Sequence, residues 1–145
     1  MKLAIIGTGY VGLVTGTCFA EMGNDVVCVD IDEKKLEALR NGQLPIFEPG
    51  LVVPFERGIA TGRLTFTSDV ASAVPDADIV FLTLPTPPNE DGSADLSYVE
   101  AATKRIASLL SGYTVVVSKS TVPVGSSDFI NELVSAHKQD DAEFD

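Results

Sequence analysis

Three glycines directly follow the first apolar run of the sequence, in the pattern Gly7-Thr8-Gly9-Tyr10-Val11-Gly12. In this pattern the first glycine permits a tight turn, and the second lets a pyrophosphate approach the backbone. The third lets a helix pack closely on the strand before it. The N-terminus of that helix then offers free N–H groups and a partial positive charge. The spacing therefore predicts a dinucleotide phosphate site built on Gly7, Gly9 and Gly12.

An acidic residue, Asp30, ends the second apolar run, 18 residues after Gly12. A carboxylate at this point of a dinucleotide-binding fold accepts hydrogen bonds from ribose hydroxyls and repels a 2′-phosphate. The residue therefore favours NAD over NADP as the cofactor. Lys35 lies one turn into the predicted next helix, where its side chain can reach the ribose or the phosphates. Asp32 suits the N-cap of the same helix.

Two further apolar runs end in hydroxyl side chains. One is followed by Pro85-Thr86-Pro87, and the other belongs to TVVVSKSTVPVGSS at residues 114–127. The carboxyl ends of the strands in a doubly wound sheet face the ligand crevice. We therefore expect Thr86 and Thr121 to lie near the nicotinamide half of a bound cofactor. The Lys119–Thr121 segment is expected to meet the same crevice, where a ligand can satisfy its polar groups.

These residues are positioned by an alternation of strands and helices along the chain. Short β-branched runs are typical of buried parallel strands, and apolar residues at helical spacing lie between them. This order predicts an α/β, Rossmann-like, doubly wound parallel sheet with right-handed crossovers. The predicted strands are Leu3–Ile6, Val26–Val29, Leu64–Thr67, Ile79–Leu84 and Val115–Val117, and the predicted helices are Tyr10–Met22, Glu33–Arg40, Leu96–Leu110 and Ser126–Ala136.

The organisation is that of a single domain over residues 1–145, with two long Pro- and Gly-containing connections at residues 43–51 and 85–95. Connections of this length tend to be functional. A fold of this class has six strands, and only a short polar stretch follows the last predicted helix. The sheet is therefore expected to lack its last strand, with Ala142–Phe144 as the beginning of it.

Composition excludes several functional classes. A net charge of −11 argues against nucleic acid or an anionic membrane as a partner, and no apolar stretch is long enough to span a bilayer. Cys18 and Cys28 lie among apolar residues outside any metal-binding pattern. They are expected to be reduced core thiols of a cytoplasmic protein, with no metal bound. His137 is the only histidine and lies in a polar tail, which leaves little basis for histidine-dependent catalysis.

Taken together, the motifs resemble the N-terminal NAD-binding domain of the UDP-glucose/GDP-mannose dehydrogenase family. The resemblance spans Met1 to about Phe144 and rests on GTGYVGL, VDID, FEPGL, the segment RLTFTSD, PTPPNEDGSADLSYVE and KSTVPVG, in this order. Members of this family oxidise the C6 alcohol of a nucleotide sugar to a carboxylate. They reduce NAD twice and pass through a thioester on a catalytic cysteine. The resemblance is greatest to the members that convert UDP-glucose to UDP-glucuronate.

The resemblance also implies roles for the matching residues. Thr121 would support catalysis, for example by ordering a water, and no sure role follows for Glu48, Pro49 and Gly50. The cofactor-binding residues that it implies are Gly7, Gly9, Tyr10, Val11 and Gly12 at the pyrophosphate, Asp30 and Lys35 at the adenosine ribose, and Thr86 and Thr121 at the nicotinamide end.

This chain departs from the family in length, because members are about three times longer. Their catalytic glutamate, lysine, asparagine and cysteine lie beyond the matched segment, and neither Cys18 nor Cys28 matches the motif of the nucleophile. The family's central and C-terminal domains are therefore expected to be absent, and the chain alone is expected to be inactive. The resemblance implies a full-length homodimer that binds UDP-glucose. Within the match, Leu51–Pro54 is less polar than expected, so the helix after FEPGL is expected to be short or to start late.

Three other interpretations remain open from the sequence. The first is a sister specificity, for GDP-mannose or UDP-N-acetylmannosamine, because most of the sugar site lies outside this chain. The second is a non-catalytic module that senses a nucleotide or oligomerises. The third is another dehydrogenase of this fold class, such as a 3-hydroxyacyl dehydrogenase, although the EPGL and STVPVG motifs have no reason to appear there.

Overall fold

The computed structural model describes all 145 residues. Its elements follow the alternation expected from the sequence, including the helix after FEPGL, with one additional short helix and a sixth strand. They are β1 Lys2–Ile6, α1 Tyr10–Glu21, β2 Asp25–Val29, α2 Glu33–Arg40, α3 Val52–Ala60, β3 Leu64–Thr67, α4 Val70–Ala73, β4 Ile79–Leu82, α5 Ser97–Ala107, β5 Tyr113–Ser118, α6 Ser126–His137 and β6 Glu143–Phe144.

The strands form one parallel sheet in the order β3-β2-β1-β4-β5-β6. The register pairs Ile6 of β1 with both Val29 of β2 and Leu82 of β4, and Leu82 with Ser118 of β5. Because all strands run the same way, the residues that follow β1, β2, β4 and β5 emerge at one edge of the sheet. The doubly wound architecture predicted from the sequence is confirmed, and this carboxyl edge is where such folds bind ligands.

The expectation that the last strand is missing is wrong, whereas the expectation that the strand begins within Ala142–Phe144 is confirmed. Glu143 and Phe144 form a two-residue strand in parallel register with Tyr113 and Thr114. The amide of Glu143 donates to the Gly112 carbonyl at 2.7 Å, so the pairing begins before the strand proper. Strand pairing uses backbone N–H and C=O groups and requires no particular side chains, so a polar segment can add a strand to the sheet. Here the buried Ala142 packs into the core and holds the segment beside β5.

The core lies on both faces of the sheet, as expected where helices cover both. Alternate residues of β1 face opposite ways: Leu3 and Ile5 pack with α1 and α3, and Ala4 and Ile6 pack with α5 and α6. The central strands β1, β2 and β4 therefore bury most of both faces, which explains their nearly continuous apolar runs. No helix has the length and apolarity needed to cross a membrane.

Several element boundaries differ from the sequence expectation. The chain after FEPGL enters α3 directly at Val52, with Pro54 in its first turn, where a proline is tolerated. β4 ends at Leu82, two residues earlier than predicted. α5 is shorter than predicted at both ends and stops at Ala107, because Leu109 and Leu110 form a tighter turn with bonds to the residues three positions before them.

The two cysteines have different environments. Cys28 is buried in β2, and this burial raises the pKa of its thiol to about 12. Cys18 is exposed on α1, so the expectation that both are core thiols is wrong for Cys18. Helix α1 turns Leu13, Gly16 and Ala20 towards the sheet, and residue 18 falls on its outer face. Both thiols are free.

Candidate functional site

The turn between β1 and α1 requires glycine at two positions. Gly7 has a φ of +104°, and a Cβ there would lie 2.6 Å from the carbonyl oxygen of Thr83. A Cβ at Gly12 would overlap the Gly7 carbonyl oxygen and lie 2.8 Å from Thr83 Oγ1. The first turn of α1 thus packs directly against the turn that precedes it. This is the close approach predicted from the glycine spacing.

The N-terminus of α1 offers free amides to open space. The first helical hydrogen bond runs from Leu13 N to Gly9 O, at 2.9 Å, so the N–H groups of Tyr10, Val11 and Gly12 precede it. Gly9 is the N-cap and no side chain caps the helix. A Cβ built on Gly9 would meet no atom within 4 Å. Unpaired amides, the positive end of a helix and vacant space together fit the pyrophosphate of a dinucleotide.

Thr83 holds this turn in place, and sequence reasoning missed it. Its hydroxyl is buried and lies 2.7 Å from Gly7 O and 3.0 Å from Ile6 O, both of which are acceptors. The residue follows β4 and so links that strand to the glycine turn. The available signal was a polar residue in the apolar run IVFLTL, but a hydroxyl at a strand end has many possible partners.

Asp30, at the end of β2, accepts four hydrogen bonds. Its Oδ2 receives the Thr8 amide at 2.9 Å, the Thr8 hydroxyl and Lys35 Nζ at 3.0 Å, and its Oδ1 receives the Asp32 amide at 3.1 Å. Burial raises the pKa of this carboxyl, but the hydrogen bonds from Thr8, Lys35 and Asp32 together outweigh it. The resulting pKa is about 2, so Asp30 is ionised at neutral pH.

One side of this carboxylate remains available. Oδ2 is saturated by three donors, whereas Oδ1 holds only the Asp32 amide and can accept one more hydrogen bond. A ribose hydroxyl is a suitable donor. The structure also confirms Asp32 as the N-cap of α2, because its side chain accepts the Lys35 amide at 3.2 Å. The sequence did not reveal Thr8, whose side chain is fully buried between the glycines and Asp30.

The ends of β4 and β5 meet, as expected from their hydroxyl residues. Thr86 Oγ1 donates to the carbonyl oxygen of Thr121 at 2.6 Å. The expectation that a ligand satisfies the Ser120 hydroxyl is wrong. This hydroxyl accepts the Leu84 amide at 3.0 Å and lies 2.9 Å from the Leu84 carbonyl oxygen. That serine therefore joins the two strand ends. Thr121 and Lys119 are exposed beside it, on the edge that carries the glycine turn.

The connection at residues 43–51 reaches the glycine turn through Glu48, to which the sequence gave no role. The hydroxyl of Tyr10 donates to the Glu48 carboxylate. This hydrogen bond, with smaller contributions from desolvation and from the carboxylate charge, raises the pKa of Tyr10. The contact fastens the connection beside the free amides of α1.

Substitution of Glu48 by glutamine is expected to lower the pKa of Tyr10 towards its usual value near 10, because the carboxylate that stabilises the neutral phenol is gone. The measurement is tyrosinate absorbance during alkaline titration, with the Tyr10 signal isolated by subtraction of the matching Tyr10→Phe variant. Glu56→Gln, on the exposed side of α3, removes the same charge without the contact and is the control. Equal titration curves for Tyr10 in all three proteins would refute the pairing.

Comparison with known proteins agrees with this geometry. The sequence profile of the "UDP-glucose/GDP-mannose dehydrogenase family, NAD binding domain" matches residues 1–145. The chain is 51% identical over 144 residues to UDP-glucose 6-dehydrogenase TuaD of Bacillus subtilis, which covers 99% of this chain and 31% of the relative. It is 56% identical over 135 residues to a UDP-glucose 6-dehydrogenase of Rhizobium meliloti, covering 92% of this chain and 31% of the relative.

A solved structure shows the same fold. The UDP-glucose dehydrogenase of Pyrobaculum islandicum superposes with a TM-score of 0.90 at 38% identity, covering 99% of this chain and 34% of that one. This chain therefore spans about a third of the length of the proteins that it matches. The glycine turn, the acidic end of β2 and the full-length profile match agree on one assignment. The chain belongs to the UDP-glucose/GDP-mannose dehydrogenase family, of which it is the NAD-binding domain.

Proposed function

We propose that this domain binds the NAD of a UDP-glucose 6-dehydrogenase, an enzyme that oxidises UDP-glucose to UDP-glucuronate with two successive NAD reductions. The observation that carries the proposal is the geometry of one edge of the sheet. Free amides of α1 face open space at Gly9, and the ionised Asp30 lies at the end of the neighbouring strand. The names of the most similar relatives favour UDP-glucose as the sugar nucleotide.

The chemistry of each group determines which part of NAD it binds. Gly7 and Gly12 shape the turn, Gly9 leaves room, and the amides of Tyr10 and Val11 bind the pyrophosphate. Asp30 accepts a ribose hydroxyl through Oδ1, and the Lys35 ammonium, which lies against the same carboxylate, donates to the ribose with a further N–H. When bound, NAD supplies the hydride acceptor. These residues bind and orient it, and none of them transfers a proton.

Thr86 and Thr121 form the nicotinamide end of the proposed site. The Thr86 hydroxyl is committed to the Thr121 carbonyl, which fixes the relative position of the two loops. The hydroxyl of Thr121 is exposed and hydrogen-bonded to no other residue of the chain, so it is free to hold a water or a polar group of the ligand. We assign Thr121 a supporting role in catalysis, with the nucleophile supplied by a part of the enzyme outside residues 1–145.

The remaining assignments concern the whole enzyme. We propose that central and C-terminal domains complete the active site, that the full-length protein is a homodimer and that it works in the cytoplasm. The two free thiols are in keeping with a reducing compartment. The second candidate is a GDP-mannose dehydrogenase, because the family profile covers both substrates and the resemblance implies that most of the sugar site lies outside this chain.

The proposal is tested by titrating the 145-residue chain with NADH and with NADPH, using calorimetry or quenching of ligand fluorescence. NADH is expected to bind, and NADPH is expected to bind at least about tenfold more weakly, because its 2′-phosphate meets the ionised Asp30. Absence of NADH binding would refute the site, and equal affinity for the two would refute the role of Asp30.

A turnover assay with UDP-glucose and NAD completes this test. The chain alone is expected to produce no NADH, because the resemblance implies that most of the sugar site and the catalytic glutamate, lysine, asparagine and cysteine lie outside residues 1–145. Measurable turnover by the 145 residues would overturn the assignment of catalysis to other domains.

A further inference from the structure

We propose that Lys35 is a latent 2′-phosphate ligand, which Asp30 keeps occupied, so that the Asp30–Lys35 ion pair as a unit sets the preference for NAD over NADP. The proposal rests on the proposed function, because it takes this end of the site to hold the adenosine ribose. The preference for NAD over NADP would then depend on two groups: the Asp30 carboxylate, which repels a 2′-phosphate, and the Lys35 ammonium, which is already paired with that carboxylate.

The position of the ammonium group supports this role. Lys35 Nζ lies 3.0 Å from Asp30 Oδ2, and the side chains are 29% and 14% exposed. The lysine backbone is fixed in the first turn of α2, where its amide donates to the N-cap Asp32. A partly buried lysine on a capped helix loses less side-chain freedom on contacting a ligand than a solvated lysine does. The group therefore needs little rearrangement to meet a ligand at the ribose.

The charges around the ribose end explain why a 2′-phosphate is refused as the chain stands. The carboxylates of Asp30 and Asp32 flank Lys35, and one of them holds its ammonium directly. Glu33, the next acid, is paired with Arg40 at 2.6 Å and contributes little net charge. A phosphate carries close to two negative charges. It would have to approach an ionised carboxylate and compete with it for the same cation.

Neutralising Asp30 reverses both effects. Loss of its charge removes the repulsion, and the lysine is then free to pair with the phosphate, which it binds as a point charge. Asparagine is the suitable replacement because its amide oxygen can still accept the buried Thr8 amide and hydroxyl that Asp30 Oδ2 now accepts. Methionine is the suitable replacement for Lys35 because it keeps most of the aliphatic stem.

The experiment is a set of NADH and NADPH titrations of the wild-type chain and the variants Asp30→Asn, Lys35→Met and the double variant. Asp30→Asn is expected to bind NADPH about tenfold more tightly than the wild type and NADH more weakly. The double variant is expected to lose the gain for NADPH. Lys34→Met, an exposed neighbour on the same helix, is the control in the Asp30→Asn background and should leave the gain intact. The gain should also shrink as salt increases.

Two results would overturn the inference. One is an Asp30→Asn chain that binds NADPH no better than the wild type does, and the other is a gain that survives Lys35→Met. Thermal unfolding by circular dichroism verifies that each variant is folded, and Asp30→Ser replaces Asp30→Asn if the asparagine variant is not. If the wild-type chain binds neither dinucleotide, the proposed function fails as well. If wild-type binding of NADH is intact, a negative result concerns Lys35 alone.

Discussion

Gly12→Ala is expected to destabilise the domain by about 3 kcal/mol and to abolish binding of NADH. The added methyl would overlap the backbone carbonyl oxygen of Gly7 and press on Thr83 Oγ1. Neither can move freely, because Gly7 N is bonded to Val29 O at 2.8 Å and Thr83 is buried. Alanine is more favourable than glycine inside a helix by about 1 kcal/mol, so helix propensity alone would make the variant more stable. A net loss of stability must therefore come from the steric clash. Urea denaturation and NADH titration measure the two effects.

Gly9→Ala is the matched control for this substitution. A methyl on Gly9 would meet no protein atom within 4 Å, and the φ of −70° is allowed for alanine. Stability is expected to fall by about 1 kcal/mol or less, the cost of a poorer N-cap. Binding of NADH should nevertheless weaken strongly, because the methyl fills the space in front of the free amides. A Gly9→Ala chain that binds NADH like the wild type, or a Gly12→Ala chain that is fully stable, would contradict the geometry of the turn.

Phe55→Ala is expected to lower the free energy of unfolding by about 3–5 kcal/mol. The side chain is fully buried between α3 and the sheet, and its ring centroid lies 6.0 Å from that of Phe66 in β3. Removal leaves a cavity that the neighbouring strand cannot close. Urea denaturation followed by circular dichroism gives the difference. The predicted magnitude is large for a single substitution in a domain of this size.

Val53→Ala, on the same helix, is the control for Phe55→Ala. It changes a side chain to alanine in α3 without removing buried packing. Val53 is 60% exposed, so the loss of stability should stay within about 0.5 kcal/mol. Similar losses for the two variants would mean that α3 is not docked through Phe55. The comparison also tests the fold around the connection at residues 43–51, because α3 begins directly after it.

Most strands of the sheet could be predicted from the sequence because their determinants are local. The β-branched runs, the glycine spacing and Asp30 each impose a requirement on the backbone that their own residues reveal. Helix α3 was uncertain because its sequence, VVPFERGIA, combines β-branched residues with proline and glycine, and only burial of Phe55 settles its state. β6 was underestimated because two residues carry no periodicity. Its existence depends on the edge of β5, which is far away in sequence.

The placement of the candidate site residues was predictable to the same extent, and their binding roles stay predictions. Glycines and an acid at fixed spacing are demanded by the fold, so their positions pointed to a crevice with a phosphate end and a ribose end. The hydroxyls of Thr8, Thr83 and Ser120 were not predictable, because the partner of a hydroxyl depends on tertiary structure. Ser120 illustrates the difference, since the polar residue expected to meet a ligand is hydrogen-bonded to Leu84. The pairing of Tyr10 with Glu48 joins segments 38 residues apart and leaves no pattern.

The double attachment of Thr8 to Asp30 has a consequence for the energetics of this crevice. Thr8 belongs to the glycine turn, and both its amide and its hydroxyl bind the carboxylate at the end of the next strand. The part that we propose to face a pyrophosphate and the part that we propose to face a ribose therefore form one preassembled unit. A ligand that bridges them does not have to order two separate loops, so less of its binding free energy is lost to conformational entropy. The two ends of the proposed adenosine diphosphate site are thus held together by a single buried threonine.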